Sequence, residues 1–458
     1  MSGLLPSLGR ALPSASSSRA AAFSTSALVA AAPKMGAKSF AKKKSPSKRQ
    51  GPSPRVKVHR LKLTSNLARP APDMSDLVQL FPESIIAENT AKLSVIPRKT
   101  FDVIQTFGLP AKVDKDLTLG APATVIRQAT LDIVKALENG KDGDSKEARY
   151  MITGERGAGK SMLLLQAVSY ALESGWIVFY QPRASKWVNS SSQFAYNEEK
   201  MMFDQPEAAT DMLQKLLSVN RKTLSKVKLT EDVVLSDATV KKGEGLDKLI
   251  DHGLKEDSDT AVATLDAVLN VLSTQTQFPV LFAIDEVQSL FCTSKYRRPD
   301  FKLLEAYNLG MPRVILDLLS GAREMKRGAV LTATALSQTD VLPSDSLIKG
   351  LGLPIRRTMH AYTPIDETYY NYANSGIKRI DVPFGMSGHE AVAMFELFAR
   401  KGWTSNSEYQ VSSFIAFHIS PVMLSSPVML MCSDYDLGSE AIRRIEAPLG
   451  LASEHLHR

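Results

Sequence analysis

The sequence predicts an α/β fold in which a parallel sheet is flanked by helices, and three segments carry this prediction. The stretch "YMITGERGAGKSMLLLQA" (150–167) has a short strand, a glycine-rich turn and then an apolar helix. The stretch "PVLFAIDEVQSLF" (279–291) is a buried strand that ends in two acidic residues, and "GAVLTATALSQ" (328–338) is a further strand. Strands that alternate with helices in this way are typical of a parallel sheet.

The first of these segments has the spacing of a phosphate-binding loop, because Gly154, Gly159, Lys160 and Ser161 fit G-x-x-x-x-G-K-[ST]. The glycines let backbone N–H groups turn towards a phosphate at the N-terminus of a helix. We predict that Lys160 reaches the β- and γ-phosphates and that the Ser161 hydroxyl binds Mg²⁺. The predicted nucleotide-binding residues are Gly154, Glu155, Arg156, Gly157, Ala158, Gly159, Lys160, Ser161 and Met162.

The second segment places Asp285 and Glu286 directly after an apolar strand. Alone this pattern is weak, since it also marks ordinary strand ends; together with a phosphate-binding loop it favours a Walker B motif. Asp285 is then the second predicted magnesium residue beside Ser161. Glu286 is the candidate catalytic residue, which would orient an attacking water if the nucleotide is hydrolysed.

The third segment extends the prediction to a P-loop NTPase of the AAA-like type. In that branch a polar residue at the end of such a strand senses the γ-phosphate, and Thr334 is the candidate. The alternative is a threonine that is simply satisfied within a β-strand. Residues 182–278, between the strand "WIVFY" (176–180) and the Walker B strand, are too many for one crossover. We therefore predict a helical insertion there, with helices near 206–219 and 261–274.

The charge distribution separates the N-terminal part from the rest of the chain. Residues 1–72 contain 14 Lys and Arg and no Asp or Glu, whereas the remainder has 42 basic and 48 acidic residues. Residues 1–32, rich in Ala, Ser and Leu, predict a mitochondrial presequence, with an inert disordered tail as the alternative. Residues 33–75 predict a basic disordered arm, which is either a solvated linker or a contact to RNA phosphates. No segment fits a membrane span.

The stretch "ARYMITGERGAGKSMLLLQAVSYALESGWIVFYQPRASKWV" (148–188) resembles mitochondrial small-ribosomal-subunit GTP-binding proteins of the death-associated-protein type. The P-loop is followed by a Pro-x-Ala-x-x-Trp element, here Pro182, Ala184 and Trp187. The segments "LFAIDEVQSLF", "VLTATALS" and "FGLP" fit the same family, and the resemblance covers about residues 80–340.

The resemblance implies a structural subunit of the mitochondrial small ribosomal subunit, located in the matrix and contacting rRNA and neighbouring ribosomal proteins. It implies GTP or GDP with Mg²⁺ as cofactors, with slow or no turnover and no homo-oligomer. ATP stays open, because the sequence lacks the guanine-reading N-K-x-D motif. The alternatives are an AAA-like ATPase that remodels a mitochondrial partner and a regulatory GTP switch.

The predicted domain organisation follows from these segments. After the presequence and the arm, residues 76–122 are an N-terminal extension that packs on the core. Residues 123–345 are the nucleotide-binding domain, with its insertion at 182–278. Residues 346–458 are a C-terminal domain, for which the resemblance implies a small helical or winged-helix fold.

Overall fold

A computed structural model describes residues 72–111, 113–118, 121–235, 239–255, 258–336, 341–354 and 364–402. The strands are β1 Val78–Gln79, β2 Leu93–Val95, β3 Ala123–Val125, β4 Arg149–Gly154, β5 Ile177–Gln181, β6 Ala195–Asn197, β7 Met202–Asp204, β8 Val233–Val234, β9 Thr239–Val240, β10 Val280–Ile284, β11 Thr293–Arg297, β12 Leu303–Glu305, β13 Gly328–Ala333 and β14 Lys378–Val382. The α-helices are α1 Arg98–Phe107, α2 Asp114–Thr118, α3 Gln128–Lys141, α4 Lys160–Glu173, α5 Pro206–Leu224, α6 Leu246–Gly253, α7 Ser258–Thr274, α8 Gly310–Ser320, α9 Asp345–Gly350, α10 Glu367–Ala373 and α11 Gly388–Arg400.

The central sheet has five strands in the order β14-β4-β13-β10-β5, and every neighbouring pair is parallel. The α/β prediction with a parallel sheet is therefore confirmed. Parallel strands end at one common edge of a sheet. The segments that follow β4, β5, β10 and β13 consequently meet there, although they are far apart in the sequence.

Helices cover both faces of this sheet, because its inner strands are apolar on both sides. In β10, Leu281 and Ala283 face a core formed with α1, α3 and α4, whereas Phe282 and Ile284 face a core formed with α5, α7 and α8. The described chain is thus a three-layer α/β/α arrangement, and no helix in it is both long and apolar enough to cross a bilayer.

The predicted insertion at 182–278 does contain the two expected helices, at α5 and α7. They form part of the helical layer on the sheet, and α5 packs directly on β5. The Asn220 side chain of α5 donates to the Val178 carbonyl and accepts from the Val178 N–H, both at 3.0 Å. Helices α5 and α7 therefore belong to the core. The other described residues of this range include α6 and two short hairpins.

The central sheet extends beyond the predicted domain boundary at residue 345. Its edge strand β14 pairs with β4, and Val382 lies opposite Gly154. The sequence "KRIDV" mixes charged and apolar residues, as expected for an edge strand, and so lacks the continuous apolar run of the inner strands. Residues 355–363 and 403–458 of the predicted C-terminal domain lie outside the described residues. The predicted presequence and residues 33–71 of the arm also lie outside them.

The predicted N-terminal extension, residues 76–122, contributes helix α1, which packs on α4 beside the central sheet. Phe101, Ile104 and Phe107 of α1 are buried in the same cluster as the apolar residues of α4. Strands β1, β2 and β3 form a small separate sheet, against which α11 packs. Arg400 of α11 also donates to both carboxylate oxygens of Asp76, each at 2.7 Å.

Candidate functional site

The glycine-rich loop joins the end of β4 to the start of α4 in a backbone conformation that requires glycine. Gly154, Gly157 and Gly159 have φ values of 148°, 84° and 91°, where residues with a side chain are disfavoured. A Cβ atom at Gly154 would also lie 2.8 Å from the Val382 carbonyl oxygen of β14. The spacing of the motif therefore reflects both the turn and the close approach of the edge strand.

Lys160 is the first residue of α4, and its side chain is buried against the loop. Its Nζ donates to the carbonyl oxygens of Gly154 at 3.0 Å and Glu155 at 2.6 Å. Burial lowers the pKa of Lys160 to about 8, while the nearby Asp285 and Glu155 carboxylates act in the opposite direction. A buried cation placed under a loop of backbone N–H groups is suited to an anionic ligand such as a phosphate.

Asp285 follows β10 and is almost completely buried, at 1% exposure. Its Oδ1 accepts from the Glu286 N–H at 2.8 Å, whereas its Oδ2 is buried and has no protein donor. Burial raises the pKa of Asp285 to about 7, and hydrogen bonding by the Ser161 hydroxyl partly opposes that rise. Ser161 and Asp285, predicted from separate motifs, are therefore neighbours. A hydroxyl beside a buried carboxylate with an unused oxygen fits the donor set that Mg²⁺ prefers, and bound Mg²⁺ would supply charge for phosphate oxygens.

Glu286 has a left-handed backbone with φ of 59°, and its carboxylate is turned towards the segment after β5. The Ser185 hydroxyl donates to Glu286 Oε2. Burial raises the pKa of Glu286, and hydrogen bonds from the side chain and backbone of Ser185 lower it. The candidate catalytic base is thus held by a residue of the Pro-x-Ala-x-x-Trp element.

Thr334 directly follows β13 and lies beside the P-loop strand. Its hydroxyl donates to the Ile152 carbonyl of β4 at 3.3 Å, and its N–H donates to the same oxygen at 3.1 Å. The next residue, Ala335, is fixed by the Gln288 amide, which donates to its carbonyl at 2.6 Å and accepts from its N–H at 3.0 Å. These bonds are those of a threonine satisfied at a strand end, and a γ-phosphate sensor role for Thr334 stays a prediction.

Arg127, which precedes α3, lies under the phosphate-binding loop and was not indicated by any sequence motif. Its Nη1 donates to the Ala158 carbonyl at 2.7 Å, and its Nε lies 3.4 Å from Glu390 Oε2 on α11. A third bond, from Nη2 to the Gly385 carbonyl, measures 3.4 Å. Arg127 therefore connects the loop to the segment around the start of α11.

The structure brings most of the predicted residues together at the edge where β4 and β10 end. Arg156 and Gly157 are exposed at the tip of the loop, and Ala158 is buried beneath it. The Met162 side chain packs against the apolar core on the α4 side, so it belongs to the core. Ser185 could have been noticed within the quoted Pro-x-Ala-x-x-Trp element. Glu390 carries only the signal of a helix start, since Ser387-x-x-Glu390 fits a capping box, and Arg127 carries no sequence signal.

Comparisons with known proteins match this chain to one family. The family described as mitochondrial ribosomal death-associated protein 3 matches residues 124–417. Small ribosomal subunit protein mS29 of Neurospora crassa is 28% identical over 275 residues, which are 59% of this chain and 58% of that protein. The Schizosaccharomyces pombe protein of the same name is 28% identical over 62% of this chain and 59% of its own length.

The mouse protein of that name is 25% identical over 54% of this chain and 63% of its own length. The chain thus spans about three fifths of the length of the curated relatives it matches. The matched range contains every residue of the candidate site, from Arg127 to Glu390.

Proposed function

The chain belongs to the mitochondrial ribosomal death-associated protein 3 family, and from that premise we propose that it is a structural component of the mitochondrial small ribosomal subunit. The protein is accordingly located in the mitochondrial matrix. In this proposal it contacts the small-subunit rRNA and neighbouring ribosomal proteins, and it supports mitochondrial translation. The basic arm at 33–75 is one proposed contact to RNA phosphates.

The subunit holds a purine nucleotide with Mg²⁺ in this proposal. The observation that carries it is the convergence of Lys160, Ser161 and Asp285 from two motifs 125 residues apart at one edge of the sheet. Lys160 would bind the phosphates, together with the N–H groups of the loop, and Ser161 and Asp285 would bind the metal. GTP or GDP is proposed from the family resemblance, and ATP remains open.

We also propose that the fold is of the AAA-like type. Strand β13, which carries Thr334 at its end, lies between the P-loop strand β4 and the Asp285 strand β10. This order is what a sensor strand between the two phosphate-binding segments requires. It supports the proposal independently of the loop motif.

Nucleotide turnover is proposed to be slow, because the Ser185 hydroxyl donates a hydrogen bond to the Glu286 carboxylate and so weakens it as a base.

The second candidate function, an AAA-like ATPase that remodels a mitochondrial partner, is favoured by one observation. Glu286 directly follows Asp285, which is the position of the water-activating glutamate in P-loop ATPases. In that case Glu286→Gln would trap nucleotide and block assembly, whereas a structural subunit would assemble normally with the same substitution.

Two measurements test the proposal separately. Tagged full-length protein should sediment with the mitochondrial small subunit and leave it after RNase digestion or at raised salt. Free protein at the top of the gradient under all conditions contradicts the ribosomal role. That experiment does not depend on the nucleotide.

The nucleotide is tested by thermal unfolding of the purified protein with GTP, GDP or ATP and Mg²⁺. A nucleotide at a hundred times its Kd should stabilise the wild type by about 2.7 kcal/mol. Lys160→Ala should lose this stabilisation, and Lys135→Ala, an exposed lysine of α3, should retain it. A wild type that none of the three nucleotides stabilises contradicts the nucleotide-binding part of the proposal.

A further inference from the structure

The hairpin formed by β11 and β12 presents an aromatic side chain at its turn, residues 298–302. Phe301 is 78% exposed, and Leu303 beside it is 45% exposed. The opposite face of the hairpin is anchored, since Ser294 and Tyr296 are buried and the Ser294 hydroxyl donates to the Leu304 carbonyl at 2.7 Å. The hairpin is therefore a fixed element with an apolar ring at its outer end.

The backbone of the turn holds Phe301 in an unusual conformation. Its φ of 63° lies in the left-handed region, which is disfavoured for a residue of this size. The turn is closed by hydrogen bonds from Phe301 N–H to the Arg298 carbonyl and from Arg298 N–H to the Lys302 carbonyl, both 2.9 Å. Arg297 Nη1 also donates to the Phe301 carbonyl at 2.8 Å. A strained residue that is held in place and exposes its ring is a candidate for binding a partner.

Four cations lie on the same hairpin as this ring. Lys295 and Arg297 lie on the exposed face of β11, and Arg298 and Lys302 lie in the turn. The two acidic residues of the hairpin are both engaged: Asp300 pairs with Lys302 at 3.5 Å, and Glu305 accepts from Thr293 and Tyr369, both at 3.0 Å. The hairpin, residues 293–305, therefore carries four cations against two carboxylates.

We propose that this turn is a binding site for single-stranded RNA, in which an unpaired base stacks on Phe301 and the adjacent cations contact phosphates. Exposed aromatic rings next to Lys and Arg are the combination by which proteins bind unpaired nucleotides, because every base has a face that stacks and every nucleotide carries a phosphate. The site shares no residue with the candidate nucleotide site. The inference depends on the proposed ribosomal role only for identifying the RNA as rRNA.

Binding is tested with full-length protein and a fluorescein-labelled oligouridine, at about 0.3 M salt to weaken non-specific phosphate contacts of the basic arm. Phe301→Ala should weaken the affinity for oligouridine by about tenfold, as expected for the loss of one stacked base. Phe301→Trp should bind as tightly as the wild type, because the tryptophan ring also stacks on a base. Met201→Ala is the matched control, since Met201 is 77% exposed at the turn of the β6–β7 hairpin and has a φ of 51°. Its binding should equal that of the wild type.

The salt dependence separates the two kinds of contact. The loss caused by Phe301→Ala should persist as salt rises, because stacking releases no counterions, whereas Arg298→Ala should reduce the salt slope by about one. The proposal is overturned if Phe301→Ala binds oligouridine as Met201→Ala does. It is also overturned if Phe301→Ala weakens binding to a duplex RNA of the same length as much as it weakens binding to the single strand.

The assembled subunit provides the second test. A photo-crosslinking amino acid at position 301 should label rRNA, and the same amino acid at position 201 should not. Crosslinks from position 301 to protein alone would overturn the inference in favour of a protein partner. Because sedimentation with the subunit is scored in the same gradient, failure of the RNA contact is distinguishable from failure of the ribosomal role.

Discussion

The Arg127 guanidinium lies between the phosphate-binding loop and α11, 2.7 Å from the Ala158 carbonyl oxygen and 3.4 Å from the Glu390 carboxylate. The Arg127 and Glu390 side chains are only 9% and 8% exposed. Glu390 also accepts from the Ser387 N–H at 2.9 Å, which completes the capping box of α11. One buried ion pair thus joins the start of a helix late in the chain to the candidate phosphate site.

Substitution of Glu390 by Ala should lower the free energy of unfolding by about 3 kcal/mol, because the buried Arg127 charge is left without its partner. Glu396→Ala is the matched control on the same helix: Glu396 is half-exposed and pairs with Arg400, so its loss should cost less than about 1 kcal/mol. Equilibrium unfolding in urea measures both. The double variant with Arg127→Ala should cost less than the two single substitutions together, and strict additivity would argue against a coupled pair.

Under the proposed nucleotide binding, substitution of Ser185 by Ala should increase GTP hydrolysis by about ten- to a hundredfold, because a hydrogen bond to a charged group contributes about 1.5–3 kcal/mol. The Ser185 hydroxyl donates to the Glu286 carboxylate and lowers its pKa, so its removal should make this carboxylate a stronger base towards water. Single-turnover phosphate release is the measurement, with Ser191→Ala, an exposed serine of the same segment, as the control. If Glu286→Gln lowers the rate of hydrolysis but Ser185→Ala leaves it unchanged, the Ser185 hydroxyl does not limit the activity of Glu286.

Substitution of Gly154 by Ala should lower the free energy of unfolding by about 3 kcal/mol. The alanine would have to adopt a positive φ, which is strained for a residue with a Cβ atom, and that atom would also clash with β14. The new Cβ atom would lie 2.8 Å from the Val382 carbonyl oxygen, so β14 must move away from β4. Gly175→Ala separates the two causes: Gly175 has a φ of 74° and no atom near its added Cβ, and its substitution should cost only about 1 kcal/mol. Equal unfolding midpoints for the two variants would show that the close approach of β14 adds nothing to the cost of Gly154→Ala.

Alkylation of Cys292 should be slow at neutral pH. Burial, and then the Glu305 carboxylate, raise the pKa of its thiol from 9.0 to about 11. The reactive thiolate fraction at pH 7.5 should therefore be about 100-fold below that of a thiol with a pKa of 9.0, and it should rise about tenfold per pH unit until about pH 11. Iodoacetamide labelling of the Cys292 peptide, followed by mass spectrometry, measures this rate. A synthetic peptide of residues 288–296 serves as the control, and equal rates for the protein and the peptide would contradict the raised pKa.

The local parts of the fold were predictable from the sequence. The glycine-rich turn before α4 and the strands β4, β5, β10 and β13 lie close to the predicted positions, because glycine spacing and continuous apolar runs are properties of short segments. The helices at α5 and α7 were predicted for the same reason. The sequence did not predict that α5 and α7 form a layer of the core. The periodicity of apolar residues shows which face of a helix is apolar, but it does not show what that face packs against.

The sequence by itself thus determined a glycine-rich turn before a helix, an apolar strand that ends in Asp285 and Glu286, and a family resemblance, each of which is encoded in contiguous residues. Only the tertiary structure decided that β14 closes the sheet beside Gly154, that Ser185 holds Glu286, and that Arg127 connects Ala158 to Glu390. These contacts join residues 31 to 263 positions apart. Ser185 and Glu286 meet because β5 and β10 are parallel and end at one edge of the sheet. The contacts of Gly154 and Arg127 depend on the pairing of β14 with β4 and on the packing of α11, and no single segment encodes either.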